Sequence, residues 1–159
     1  MADLIKRLAR RGVQRLLHTM NRFWRPLTMG ARALAIDGQN RVFLVRHSYL
    51  PGWHLPGGGV EPGETVLKSL ERELEEEGNI VLDGEPELFG IYFNAGVSVR
   101  DHVVIYVARD FHQTAPRGAD LEIVETGFFP VDALPEGATR ATRARLAEAL
   151  GGAKRSEIW

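Results

Sequence analysis

Residues 65–77 constrain the fold most, because their apolar side chains recur at the spacing of one helical face. These side chains stand at offsets of 0, 1, 4 and 8 and are Val66, Leu67, Leu70 and Leu74. The segment is therefore predicted to form a helix with one side packed on a core. Short runs of strand-forming residues precede and follow it, so we expect this helix to cover a sheet.

The same predicted helix carries a group of carboxylates. Glu73, Glu76 and Glu77 are three and four residues apart and share a face, which we expect to lie opposite Leu70 and Leu74. Carboxylates this close repel one another by roughly a few tenths of a kcal/mol per pair in an isolated helix. A divalent cation removes that repulsion. Oxygen ligands without His or Cys favour Mg²⁺ or Mn²⁺.

A glycine run, Pro56-Gly57-Gly58-Gly59, precedes the helix. Glycine allows backbone groups to approach a metal ion or a phosphate closely. The acidic helix face alone cannot bind a diphosphate, because like charges repel, so a metal ion must bridge the two. Metal-dependent hydrolysis of a pyrophosphate bond is a physically coherent outcome of these features.

The rest of the chain predicts short strands and two further helices. Asp37-Gly38-Gln39-Asn40 is a typical hairpin turn. The predicted strands are Ala33–Ile36, Val42–Val45, Trp53–Leu55, Ile80–Leu82, Leu88–Phe93, Val103–Arg109 and Glu122–Phe129. Loops are expected at 94–101 and 110–120, a leading helix at 3–24 and a closing helix at 139–150. This order indicates an α+β protein, an α/β/α sandwich with a mixed β-sheet.

A longer pattern runs from Gly58 to Ile80. Five residues separate Gly58 from Glu64, and seven separate Glu64 from Arg72-Glu73-Leu74-Glu75-Glu76-Glu77. The pattern resembles the box of the Nudix hydrolase family: Gly, five residues, Glu, seven residues, then Arg-Glu-apolar-any-Glu-Glu-any-Gly-apolar. The matching residues are Gly58, Glu64, Arg72, Glu73, Leu74, Glu76, Glu77 and Ile80. We expect the resemblance to cover residues 32–150.

One position departs from that box, because Asn79 stands where the family has glycine. A helix commonly ends on a residue in the left-handed conformation, where glycine is favoured and asparagine is the usual substitute. Asn79 is therefore predicted to cap the helix and to leave the carboxylates in place.

The resemblance implies roles for the box residues. Glu73, Glu76 and Glu77 would hold Mg²⁺ or Mn²⁺, with the Gly57 carbonyl as a further ligand. Arg72 would orient a glutamate through a charge-assisted hydrogen bond. Glu64 would fix the loop and the start of the helix, and Gly58 would have a structural role in the motif.

The resemblance also implies that an activated water attacks one phosphorus of a nucleoside diphosphate linked to another moiety. Glu73 is one candidate for the group that takes the proton of this water. Some family members place that base on a later loop, where the candidates are Asp120, Glu122 and Glu125 and we favour Glu122. Tyr49 and Trp53 flank the glycine run and are candidates for stacking on the base or sugar of the substrate, although packing is the other interpretation.

Composition excludes several classes of protein. The 159 residues include no cysteine, which rules out disulfides, thiol catalysis and Cys-ligated metal sites. The longest uncharged apolar run, Val103 to Ala108, is far shorter than the roughly 20 residues of a membrane span. Without the long apolar core of a secretory signal, a cytoplasmic location is the expectation.

Charge divides the chain into two parts. Residues 1–32 contain eight basic side chains and one acidic side chain, whereas residues 33–159 contain 12 basic and 20 acidic side chains. We therefore expect a basic amphipathic helical extension at 1–31 and a Nudix-like hydrolase domain at 32–159.

Several interpretations of the basic segment remain open. Packing on the acidic body is favoured, ahead of contacts in a homodimer. Peripheral contact with an anionic membrane through residues 3–24 and a targeting role are less favoured. No nucleic-acid recognition motif accompanies the charge, so no nucleic-acid partner is expected. For the whole chain, the alternative to an enzyme is a non-catalytic Nudix-fold module that senses a nucleotide, which Asn79 alone favours.

Overall fold

The structure, a computed structural model, describes residues 27–159. Within these residues the chain forms eight strands and two helices. The strands are β1 (Thr28–Ala35), β2 (Arg41–His47), β3 (Gly57–Gly59), β4 (Ile80–Leu82), β5 (Glu87–Phe93), β6 (Asp101–Ala108), β7 (Phe111–Gln113) and β8 (Ile123–Pro130). The helices are α1 (Val66–Gly78) and α2 (Arg140–Leu150).

The largest sheet has four strands in the order β3-β1-β6-β5. β1 and β6 run parallel, whereas β1 with β3 and β5 with β6 run antiparallel. Two antiparallel pairs, β2 with β8 and β4 with β7, complete the described strands. The predicted mixed sheet in an α+β fold is therefore confirmed.

The predicted turn at Asp37–Asn40 is present. The Asp37 carboxylate accepts hydrogen bonds from the backbone amides of Gln39 (3.0 Å) and Arg41 (2.9 Å), and Asn40 takes a left-handed φ of 57°. Next to the turn, Ile36 and Val42 form an isolated antiparallel backbone bridge. β1 and β2 do not continue as a hairpin, because they belong to different sheets.

Two buried apolar clusters lie on opposite faces of β1 and β2. Towards α1, β1 presents three alanines, and Phe43, Leu70 and Leu74 pack with them. On the other face, Leu34 and Leu44 join Leu146 of α2. The period of two along a strand explains this division. The small alanine side chains let α1 lie close to the sheet.

Three elements differ from the predictions. β1 begins at Thr28 rather than Ala33, and Trp53 and His54 form isolated bridges while the strand follows at Gly57–Gly59. Part of the predicted loop 110–120 is β7, which pairs with β4. Glycine has low strand propensity, and these short strands form through pairing with distant partners.

The predicted helix over residues 3–24 lies outside the described residues. Among residues 27–159, no helix is both long and apolar enough to cross a membrane.

Candidate functional site

Helix α1 has a defined beginning and end. The side chain of Thr65 accepts a hydrogen bond from the amide of Lys68 (3.1 Å), which satisfies a free N–H group of the first turn. At the other end Asn79 has φ 51° and ψ 36°, and its amide donates to the carbonyl of Glu75 at 2.9 Å. The prediction that Asn79 is a left-handed helix cap is confirmed.

Strand β3 lies against α1, and two of its glycines leave space that a side chain would occupy. Gly57 has a φ of +136°, and a Cβ there would collide with the carbonyl of Ala31 on β1. A Cβ on Gly58 would lie 2.5 Å from the carboxyl carbon of Glu73. The absence of side chains lets the backbone of β3 and the carboxylates of α1 share one space.

Arg72 is the centre of a hydrogen-bond network on the same side of α1. Its guanidinium donates to Glu64 (3.1 Å), Glu73 (2.7 Å) and Glu76 (3.2 Å), and to the carbonyl of Gly59 (3.2 Å). The hydrogen bond from Arg72 lowers the pKa of Glu64. Glu64 also accepts the amide of Glu61 at 3.1 Å, so it ties the loop to the helix.

Glu77 occupies a different position from the predicted one. The expectation that it faces away from Leu70 and Leu74 is wrong: all three are buried, and Glu77 is only 7% exposed. A step of three residues from Leu74 keeps Glu77 on nearly the same side of the helix. Its Oε2 accepts a hydrogen bond from the amide of Gly57 at 2.7 Å.

Burial of Glu77 changes its protonation. Burial raises its pKa to about 7, although the Gly57 amide and the Arg32 charge act in the opposite direction. His47 lies beside it, with Nε2 at 3.4 Å from Oε1 of Glu77. Burial lowers the pKa of His47, which favours a neutral imidazole next to this carboxyl.

The carboxylates of α1 face a loop across a cavity of about 460 Å³, here called the acidic cavity. It is lined by Glu73, Glu76, Glu77, Arg117, Asp120, Glu122 and Ile123. Five carboxylates and a single arginine thus surround one space, which gives it a strongly negative potential.

The three candidate bases on the later loop have different surroundings. Asp120 is bound by Arg117 and by the amides of Glu122 and Ile123, and these hydrogen bonds, that of Ile123 first, lower its pKa to about 2. Glu125 pairs with Arg46 at 2.7 Å and does not line the acidic cavity. Glu122 lines it.

The two aromatic residues that were candidates for substrate contact, Tyr49 and Trp53, differ in exposure. Tyr49 is 61% exposed and donates its hydroxyl to Glu122 at 2.9 Å; partial burial and this contact raise the pKa of Tyr49 to about 12. Trp53 is 7% exposed and packs its ring edge-on against Phe129 in the core. A substrate contact by Trp53 does not fit this position, whereas packing does.

The sequence did not point to Arg117 or to the neighbourhood of His47. Arg117 donates Nε to the carbonyl of Glu76 at 2.9 Å, a contact between residues 41 positions apart. A lone arginine in a polar loop does not indicate such a contact from the sequence.

The Nδ1 atom of His47 is buried and has no hydrogen-bond partner within the described part of the chain. The position of His47 in a strand does not predict this burial.

The donor set of the acidic cavity fits a hard divalent cation. Among residues 27–159 no three His, Asp or Glu side chains converge as a ready-made metal cage. Magnesium, however, binds proteins through a few carboxylates and keeps several water ligands. The acidic cavity has more carboxylates than positively charged side chains. Arg72 binds Glu73 and Glu76, and the Gly57 amide binds Glu77, so three of these carboxylates are already oriented. The cavity therefore offers the few carboxylate ligands that magnesium needs.

Comparison with known proteins agrees with this geometry. A family model described as NUDIX domain matches residues 26–150. The structure of a MutT NUDIX hydrolase from Burkholderia pseudomallei superimposes with a TM-score of 0.64 and 31% identity, covering 75% of this chain and 95% of that one.

Two curated relatives are also similar. An 8-oxo-dGDP phosphatase, NUDT18, from Homo sapiens is 29% identical over 106 residues, or 65% of this chain and 32% of the relative. An ADP-ribose pyrophosphatase from Methanocaldococcus jannaschii is 30% identical over 113 residues, or 65% of each. The chain thus spans about a third of the human relative and about two thirds of the archaeal one. With the family model matching most of its length, the chain belongs to the Nudix family.

Proposed function

We propose that the protein hydrolyses the diphosphate bond of a nucleoside diphosphate linked to another moiety, with Mg²⁺ or Mn²⁺. The observation that carries this proposal is the acidic cavity, in which three glutamates of α1 face Glu122. Similarity to relatives named as an 8-oxo-dGDP phosphatase and an ADP-ribose pyrophosphatase supports the same class of substrate.

In this proposal Glu73, Glu76, Glu77 and the carbonyl of Gly57 hold the cation. Bound there, the cation supplies the positive charge that neutralises the diphosphate and activates water for attack on phosphorus. The contacts of the chain support these assignments, since the Gly57 amide fixes one oxygen of Glu77 and leaves Oε1 near His47.

Arg72 and Glu64 position these carboxylates rather than touch the substrate. Arg72 binds Glu73 and Glu76 at once, and its Nε and Nη2 also contact the two oxygens of Glu64. A planar guanidinium suits this arrangement better than an ammonium group does. The pairing limits the rotamers of Glu73 and Glu76 before any ligand arrives.

Glu122 is our choice for the group that takes the proton of the attacking water. One of its oxygens accepts the Tyr49 hydroxyl, and the other has no hydrogen bond among the described residues. Glu73 is the second candidate, but Arg72 already binds its Oε1. Tyr49 is exposed and donates its hydroxyl to Glu122, so in this proposal it orients Glu122 and contacts the substrate.

The alternative, a module that binds a nucleotide without cleaving it, depended on the departure at Asn79. Because Asn79 adopts the left-handed cap that glycine would adopt, nothing at this position separates the site from the family's box. The basic segment 1–31 stays a proposed extension, and the family match begins at residue 26.

The test is hydrolysis of a panel of nucleotides, dinucleoside polyphosphates and nucleotide sugars with Mg²⁺ or Mn²⁺. We expect turnover of at least one substrate, and a loss of about 100-fold or more in kcat for Glu76→Gln and Glu77→Gln. Glu75→Gln is the matched control, since Glu75 lies on the same helix outside the acidic cavity. No turnover across the panel, or full activity of both variants, would overturn the proposal.

A further inference from the structure

A second cavity, of about 280 Å³, lies at the start of α2, and we call it the α2 cavity. Its lining includes Arg32, His54, Leu55, Asn94, Val103 and Trp159. Apolar side chains form its walls, and a cation, an imidazole and an amide lie among them. A flat group with polar edges, small enough for this volume, is the kind of ligand that such a lining suits.

The α2 cavity lies close to the acidic cavity. The His54 and His47 rings are 5.9 Å apart between centroids, and His47 Nε2 is 3.4 Å from Oε1 of Glu77. Arg32 lines the α2 cavity and donates Nη1 to the carbonyl of Leu55 at 3.0 Å. Among residues 27–159 no carboxylate lies within ion-pair distance of Arg32, although its charge acts on Glu77 at longer range. The guanidinium can therefore attract an anion between the two cavities.

Trp159 reaches the α2 cavity because the segment before it is bound to the sheet. The amide of Trp159 donates to the carbonyl of Phe93 (3.0 Å), and the amide of Phe93 donates to the carbonyl of Glu157 (2.8 Å). The indole meets Tyr92 edge-on with centroids 6.0 Å apart. It is half-buried, packed against the core cluster that includes Tyr92 while also lining the cavity.

A buried ion pair of α2 fixes the same segment. The side chains of Arg145 and Glu148 are 3% and 6% exposed and lie 2.7 Å apart. Arg145 donates to the carbonyl of Ile158 (3.1 Å), and Glu148 accepts the amide of Ser156 (3.1 Å). These bonds hold the indole in place before a ligand binds, which reduces the entropy lost on binding.

We propose that Trp159 stacks on the aromatic base of a nucleotide whose base occupies the α2 cavity, while Arg32 binds a phosphate directed towards the acidic cavity. Every base has a flat π face, and an indole stacks on such faces. This inference deepens the proposed function, because it names the cavity that selects the nucleoside part of the substrate. Arg145 is a positioning residue for Trp159.

The experiment measures binding to the full chain by calorimetry without metal, so that it does not depend on catalysis. The probes are AMP, GMP, CMP and UMP, with ribose 5-phosphate as the probe that lacks a base. The variants are Trp159→Ala, Trp159→Phe and Trp159→Leu, the last of which keeps an apolar side chain on the core. Ile158→Ala is the control, since Ile158 is exposed on the same segment and lies outside the cavity lining.

We expect at least one nucleoside monophosphate to bind about tenfold more tightly than ribose 5-phosphate, as base–aromatic stacking allows. Trp159→Ala and Trp159→Leu should remove this difference, Trp159→Phe should keep most of it, and Ile158→Ala should match the unmodified protein. Arg32→Gln should weaken all five probes. Equal affinity for ribose 5-phosphate and all four nucleotides, or unchanged binding by folded Trp159→Leu, would overturn the inference.

The two proposals fail separately. If nucleoside monophosphates bind as expected but no diphosphate compound is hydrolysed, the proposed function is wrong and the base-binding role of Trp159 stands. If hydrolysis depends on Glu76 and Glu77 but Trp159 has no effect on binding, the inference alone is wrong.

Discussion

The backbone amide of Gly57 donates a hydrogen bond to Oε2 of Glu77 across 2.7 Å, which joins the glycine strand to the buried end of the acidic helix. One hydrogen bond does not offset the removal of a carboxylate from water. The raised pKa of Glu77, about 7, expresses the remaining cost. The ionised Glu77 carboxylate therefore lowers the stability of the metal-free protein, and in our proposal a bound cation would offset this cost.

The first prediction concerns stability as a function of pH. A carboxyl whose pKa is about 7 when folded and about 4.5 when unfolded binds more protons in the folded state between these values. The contribution of Glu77 to the free energy of unfolding must then fall as pH rises from about 4.5 to 7, and stay low above 7. In chelator, Glu77→Gln should be more stable than the unmodified protein at pH 8 by up to about 3 kcal/mol.

Urea unfolding at several pH values between 4 and 8 measures this difference. The gap between Glu77→Gln and the unmodified protein should close towards pH 4, where the glutamate is protonated. Glu75→Gln, an exposed change on the same helix, should leave the pH profile unaltered. If Glu77→Gln is less stable than the unmodified protein at pH 8, the ionised Glu77 carboxylate does not destabilise the fold as we expect.

The second prediction separates two adjacent glycines. A Cβ on Gly58 would lie against the carboxylate of Glu73, whereas a Cβ on Gly59 would meet nothing within 4 Å. Because the colliding atoms are the end of a flexible side chain, Gly58→Ala should move Glu73 and cost little stability. We expect its kcat to fall about tenfold or more with a small change in melting temperature, while Gly59→Ala stays close to the unmodified enzyme in both.

Kinetics with the best substrate of the hydrolysis panel and thermal unfolding test this pair. Equal activity of Gly58→Ala and Gly59→Ala would show that the position of the Glu73 carboxylate does not limit the reaction.

Much of the helix and little of its surroundings could be predicted from the sequence. Local sequence patterns predicted α1 and its left-handed cap at Asn79, because apolar periodicity and capping depend on residues that are close in sequence. The spacing of the three carboxylates did not indicate that Glu77 is buried, although its spacing from Leu74 accounts for the side of the helix on which it lies. Its hydrogen bond with the Gly57 amide could not be predicted, because it depends on the pairing of Gly57 with Arg32 of β1, residues 25 positions apart, and so does the strand formed by three glycines.

Long-range contacts also explain two side chains whose positions the sequence did not indicate. Arg117 contacts the backbone of Glu76, and Trp53 turns into the core towards Phe129. The contacts of both depend on where a distant strand or loop lies. Local sequence patterns carry no information on that placement.

The third prediction tests the network around Arg72. Replacing Arg72 with Gln removes the charge that holds Glu64, Glu73 and Glu76, and replacing it with Lys keeps the charge without the planar set of donors. Both variants should lose about 10- to 100-fold in kcat, as is usual when groups that orient metal ligands are removed. KM should change less, because Arg72 does not contact the substrate in our proposal.

Lys68→Gln is the control for the third prediction, since it removes an exposed ion pair with Glu71 on the same helix. Such pairs contribute little, and we expect normal kinetics. Full activity of Arg72→Lys would indicate that a single positive charge at this position is sufficient.

The fourth prediction concerns Asn79, the one departure from the family's box. A residue with φ 51° is strained unless it is Gly, Asn or Asp, so Asn79→Ala should destabilise the protein by about 1 kcal/mol. Asn79→Gly should be close to neutral, because glycine adopts the left-handed conformation even more readily than asparagine, which offsets the loss of the hydrogen bond from Nδ2 to the carbonyl of Ala115. Denaturant titration gives both values. Hydrolysis by Asn79→Gly at the unmodified rate would show that asparagine serves this site as well as the family's glycine, whereas a large gain in kcat would show that the cap misaligns Glu76 and Glu77.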